Sequence, residues 1–231
     1  MPKYKAGDKM SDLISDDFNL LQVMCRFDIP LGFGDKSVKE VCDESGVDCY
    51  TFLEVVNFTA DGIARMEEDA ELISLPTLMK YLKSSHDYFI NYSIPANRVK
   101  LEEALPQDDR VARLIMQFYD QYADEVRTHM TYEDLNIFTY VNELLEGKVN
   151  RQFTITTFSK QHNEAGDKLN DLKNIIIKYY PGKDNNTQVI DALFDIYKNE
   201  EWLAGHCKVE DNILVPAIMK LERRLTAHEG Q

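Results

Sequence analysis

Basic residues are scarce in this chain relative to acidic ones. Lys and Arg number 26 against 40 Asp and Glu, a formal net charge of −14. That sign repels a phosphate backbone and an anionic lipid surface, so neither nucleic acid nor membrane is expected as a partner. Long apolar runs are missing as well: no stretch approaches the roughly 18 uninterrupted apolar residues of a membrane span. The opening MPKYKAGDKMSDLISDD lacks the apolar segment of a secretory signal, which leads to the expectation of a cytoplasmic protein. Cysteine is sparse too. Cys25, Cys42, Cys49 and Cys207 show no C-x-x-C spacing and are too few to staple a chain of 231 residues, so they read as free thiols. The alternation of a β-strand is nearly absent.

What is present is a chain with 44% hydrophobic residues, enough to bury a core and to exclude disorder. Residues 1–62 read as short helices: Asp16 and Asp17 can cap FNLLQVMCRF, PLGFGDK at 30–36 interrupts, Ser37 with Glu40 forms a capping box, and Asp48 can cap CYTFLEVVNF. These predict a small helical domain, followed by a linker at 63–75. Ser74 and Pro76 then open a longer helical pattern. A first helix runs from Pro76 past His86 and is disturbed at Pro95; a second runs from about Asp108 to Leu145; a third from about Thr154 to Tyr179, stopped by Pro181 and Gly182; and a fourth from about Thr187 to Leu225. Four long helices over 76–231 predict an all-α, antiparallel four-helix bundle.

Polar residues interrupt the apolar stripes of two of these helices. His129 and Glu133 share a stripe with Val126, Ile137 and Tyr140, and His206 and Glu210 share one with Leu203 and Ile213. A carboxylate among Leu and Ile demands a compensating partner. The two stretches are copies. HMTYEDLNIF begins at His129 and HCKVEDNILV at His206, each with His at its first position, Glu at its fifth and Asp at its sixth. The i,i+4 spacing puts imidazole and carboxylate on one helix face. His86 precedes His129 by 43 residues and His162 precedes His206 by 44, so each half offers a helix with one His and a helix with His-x-x-x-Glu.

A single His-x-x-x-Glu is common on exposed helices, and a single buried histidine is more often a hydrogen-bonded core residue. Duplication on core stripes is what points to a metal. Imidazole with carboxylate suits iron, manganese or zinc, and the lack of sulfur ligands argues against an iron–sulfur cluster or copper(I). Six ligands are too many for one tetrahedral zinc. They suit two metals, each taking two histidines with both glutamates bridging, and so a di-iron centre with positions left for an oxo or hydroxo bridge and for O₂, NO or peroxide.

Glu125, one turn before His129, reads either as a polar neighbour of the centre or as the solvated end of the stripe. Asp134 and Asp211, turned roughly 100° from the glutamates, read as helix-surface charge. Cys207 should not reach the centre. Tyr88, Tyr92, Tyr122, Tyr132 and Trp202 read as packing residues, and His228 as tail.

The two H-x-x-x-E-D segments, the single His86 and His162, and Pro216 in NILVP together resemble the hemerythrin-like (HHE) di-iron proteins. With the small helical domain in front, the chain is similar to repair-of-iron-centres proteins of the YtfE/ScdA type. The resemblance implies that His86, His129, His162 and His206 bind iron terminally and that Glu133 and Glu210 bridge. It implies a role in restoring iron–sulfur clusters damaged by oxidative or nitrosative stress, with damaged iron–sulfur proteins as partners. A fifth histidine ligand, as in classical hemerythrin, has no clear candidate here. The family's adjacent cysteines are also missing, since PLGFGD stands in their place; Cys25 and Cys42 flank it and read as buried packing groups. Two other functions share the same site, an O₂ or NO carrier or sensor and an NO- or peroxide-reducing oxidoreductase, and the fold alone does not separate them. The oligomeric state is open, a homodimer included.

Overall fold

The computed structural model describes residues 2–65, 72–106, 109–148, 153–157, 164–180 and 186–229. The fold is all-α, with no strand among the described residues; Lys9 and Ser37 form an isolated antiparallel bridge. No described helix is long and apolar enough to cross a membrane.

Four short helices come first: α1 (Met10–Asp16), α2 (Leu20–Arg26), α3 (Val38–Ser45) and α4 (Cys49–Asp61). Local chemistry sets most of their ends. The Ser37 hydroxyl accepts from the Glu40 N–H at 3.3 Å while the Ser37 N–H donates to the Glu40 carboxylate at 2.8 Å, satisfying two orphan donors of α3. Asp48 accepts from the Thr51 N–H at 2.8 Å to start α4. Helix α2 departs from expectation. Neither Asp16 nor Asp17 caps it, because Asp17 instead accepts from the Asn19 N–H at 3.0 Å and holds a turn that delays the helix to Leu20. In the following loop Gly32 and Gly34 take φ of 96° and 61°, left-handed values that favour glycine.

The expectation for the cysteines divides. Cys42 is buried, but Cys25 is exposed, since α2 turns Leu20, Val23 and Met24 inward and leaves Cys25 on its outer face.

Four long passes follow, the antiparallel four-helix bundle. Helix α5 (Leu75–Tyr88) continues through a π-helical stretch at Phe89–Ser93 into α6 (Ile94–Ala104). Helix α7 (Arg110–Tyr132) continues through a second π stretch at Glu133–Ile137 into α8 (Phe138–Leu145). The third pass is α9 (Glu164–Tyr179), and the fourth is α10 (Asn186–Val209) with a π stretch at Glu210–Leu214 leading into α11 (Val215–Glu229). Ser74 and Asp109 begin the first two, Asp109 accepting from the Val111 and Ala112 N–H groups at 2.6 and 3.1 Å. The third pass does not begin as an α-helix at Thr154. Ile155–Thr157 is a 3₁₀ turn, in a β-branched run of low helix propensity, and the Ile155 N–H donates to Glu222 at 3.0 Å.

Two compact units make up the chain: Met1–Ser85 with Phe138–Ser159 and His206–Gln231, and His86–Ile137 with Lys160–Gly205. In the first, Phe27 packs edge-on to Phe52 at 5.3 Å and stacks on Tyr81 at 4.5 Å, joining α2, α4 and α5. Asn57 of α4 pins the N-terminal segment, accepting from the Tyr4 N–H at 2.8 Å and donating to the Tyr4 carbonyl at 3.0 Å. In the second, a core that includes Phe89, Leu101, Ile115, Tyr119, Leu169, Leu172 and Ile196 is crossed by a buried hydrogen bond from the Ser93 hydroxyl to the Asn199 side-chain oxygen at 2.7 Å. Lys100 meets Asp191 at 2.7 Å and Asp195 at 2.5 Å, and Arg98 meets Asp120 at 2.7 Å.

Candidate metal centre

Each of three long passes carries its polar core residues beside a π stretch. His86 lies in the last turn of α5, three residues before Phe89–Ser93. His129 lies in the last turn of α7 and Glu133 begins the π stretch that follows. His206 lies in the last turn of α10 and Glu210 begins its π stretch. Proline explains two of these widened turns. Pro95 and Pro216 each stand six residues after the first residue of the π stretch; a proline ring has no N–H to donate and crowds the carbonyl four residues back. The ladder there spans five residues instead, the Ile94 N–H donating to the Phe89 carbonyl and the Val215 N–H to the Glu210 carbonyl. The stretch at Glu133–Ile137 has no such proline and coincides with the functional side chains themselves.

His86, Glu133, His206 and Glu210 are all buried, exposed by 1, 1, 5 and 1%. Glu133 faces two imidazoles, its Oε1 3.0 Å from His129 Nε2 and its Oε2 3.3 Å from His86 Nε2. Glu210 Oε1 is 3.2 Å from His206 Nε2, the i,i+4 contact that the spacing predicts. A carboxylate held out of water is costly to desolvate, and a multivalent cation between it and its imidazoles relieves that penalty. The donor set is imidazole nitrogen and carboxylate oxygen without sulfur, which fits iron, manganese or zinc.

Of the residues the sequence singles out, the structure brings His86 and His129 to Glu133, and His206 to Glu210. His129 contacts Glu133 with its side chain 26% exposed. His162 lies outside the described residues, as does the side chain of His228. Glu125 is held by Lys168 of α9 in an ion pair. Tyr119 and Tyr122 pack edge-on at 6.0 Å inside the core, and Tyr88 packs against Trp202 at 6.2 Å, whereas Tyr92 is exposed.

Asp134 is the residue that sequence reasoning misplaces. It is not plain surface charge: its Oδ1 lies 2.9 Å from Nδ1 of His86. An α-helical rotation between neighbours would carry it to the surface, but Asp134 sits in a π turn, where more residues per turn mean a smaller step between Glu133 and Asp134. Both acids therefore reach the same imidazole. The only sequence sign of this is the E-D pair itself, which recurs at Glu210 and Asp211.

Residues 77–218, well over half of the chain, match the family model described as Hemerythrin HHE cation binding domain. No curated protein matches the chain.

Proposed function

Because the chain belongs to the hemerythrin HHE cation-binding family, we propose that it is a di-iron protein that repairs iron–sulfur clusters damaged by oxidative or nitrosative stress. The observation that carries the metal reading is buried Glu133 with an imidazole at each of its two oxygens, together with the repeat of the pair as buried His206 and Glu210. On this reading His86, His129, His162 and His206 each give one iron a terminal nitrogen, and Glu133 and Glu210 bridge. Glu133 supports a bridging role, since its two oxygens face different histidines. His162 enters through the sequence repeat that pairs it with His206 as His86 pairs with His129.

Two iron ions with an oxo or hydroxo bridge would supply redox capacity and open positions for NO or O₂. The chain's own part is to hold the ligands and exclude bulk water. The phenyl ring of Phe89 and the side chains of Val126, Met130 and Ile213, next to the ligands in sequence, are buried. Four terminal imidazoles leave the irons less saturated than five would, which suits a protein whose iron must be able to leave. The domain plan that goes with this is a front domain at 1–62, a linker at 63–75 and a metal-binding bundle at 76–231. Helix α4 ends at Gly62 with φ of 71° and α5 begins after Ser74, which supports those limits. The front domain is the part available to meet client proteins.

The test is to add iron-loaded protein to an iron–sulfur enzyme inactivated by NO and to follow the return of its activity. Recovery that depends on the iron-loaded form supports repair. No recovery, together with a long-lived reversible O₂ adduct, transfers the site to the carrier reading; turnover of NO or peroxide with a reductant transfers it to the oxidoreductase reading.

A further inference from the structure

We propose that Asp134 is a positioning residue for the metal centre, fixing the ring orientation and tautomer of His86 so that Nε2 presents its lone pair to the metal. The inference rests on the metal reading above and adds to it a residue outside the ligand set.

The His86 ring is 1% exposed and stands between two consecutive acids, with Nε2 3.3 Å from Glu133 Oε2 and Nδ1 2.9 Å from Asp134 Oδ1. A neutral imidazole has one N–H and one lone pair, and an ionised carboxylate only accepts. Both nitrogens face an acid, but Asp134 is the nearer at 2.9 Å, and with a metal taking the Nε2 lone pair on the Glu133 side the proton belongs on Nδ1, where Asp134 accepts it. The same bond stops the ring from flipping, which would turn the protonated nitrogen toward the metal.

Position on the helix supports a dedicated role. Asp134 is 28% exposed, within reach of solvent, yet among the described residues no lysine or arginine pairs with it; the side chain it meets is the buried His86, 48 positions earlier. The π turn that aims it there is the one stretch of the three that no proline imposes. A carboxylate behind a ligand imidazole strengthens nitrogen donation and lowers the entropy lost when the metal binds.

The experiment compares full-length wild type, Asp134→Asn and Asp134→Ala, each loaded with iron and then challenged with a chelator, with Mössbauer spectra recorded on the loaded proteins. Asp134→Ala should weaken iron binding by roughly 10- to 100-fold and change the spectrum of one iron site. Asp134→Asn, whose amide oxygen can still accept from Nδ1, should fall between Ala and wild type. Equal losses in Asn and Ala would assign the effect to surface charge alone and overturn the proposal. So would wild-type iron retention in Asp134→Ala. If wild type itself holds no iron, the metal reading fails and this inference with it; iron-loaded wild type with an indifferent Asp134→Ala overturns this inference alone.

Discussion

Glu133 is buried to 1% exposure with one oxygen toward His129 and the other toward His86. A side chain shared in this way couples whatever the two histidines hold. Glu133→Ala should therefore reduce bound iron to about half or less, and His228→Ala should leave it unchanged, as checked by metal analysis of the purified variants. Full iron retention in Glu133→Ala would remove the bridging assignment. At this scale the sequence was informative wherever chemistry repeats on an α-helical period: His129 to Glu133 and His206 to Glu210 meet as their spacing requires. It was misleading where the backbone leaves that period. An α-helical rotation would send Asp134 outward, whereas the π turn brings it to His86. A place in a helix does not turn Cys25 inward, because which face of a short helix is buried depends on what packs against it.

The long helices are held by contacts that no local pattern encodes. The Tyr119 hydroxyl of α7 donates to the Ile94 carbonyl at 2.9 Å, at the start of α6 just after the π stretch. Burial pushes the Tyr119 phenol well above its ordinary value of 10.0, and Tyr122 and Asp120 add to the shift. Tyr140 is raised in the same sense by burial and by its hydrogen bond to Glu222. Because the folded phenols keep their protons to higher pH than the unfolded ones, folding takes up protons above the unfolded value. Their contribution is whole below about pH 10 and is lost as pH rises beyond it. Tyr119→Phe should cost about 1 kcal/mol at neutral pH through the lost hydrogen bond and should flatten the alkaline fall in stability. Urea unfolding at pH 7 and above pH 10 checks both. An alkaline fall identical to wild type would contradict the assignment. Helix starts were readable where a cap is local, as at Ser37, Asp48 and Ser74. The 3₁₀ turn at Ile155–Thr157 was not, since the Ile155 N–H is taken by Glu222, 67 residues away.

Over the whole molecule, the all-α architecture follows from long helical periods and the near absence of strand alternation, and the internal repeat marks both His-x-x-x-Glu pairs in the sequence. The repeat could not locate the π turns, because the extra residue in a turn leaves no periodic mark beyond Pro95 and Pro216. A buried carboxylate facing two imidazoles, with a second buried His–Glu pair repeating the motif, is an environment whose desolvation a cation relieves. The central proposal is that the two His-x-x-x-Glu pairs, with His86 and His162, hold two irons. Metal analysis combined with Mössbauer spectroscopy of anaerobically purified, full-length protein tests it most directly. The account predicts about two irons per chain, as ligand count and metal preference require, with a spectrum of magnetically coupled ions. A single uncoupled iron per chain, or stoichiometric zinc in place of iron, would contradict it.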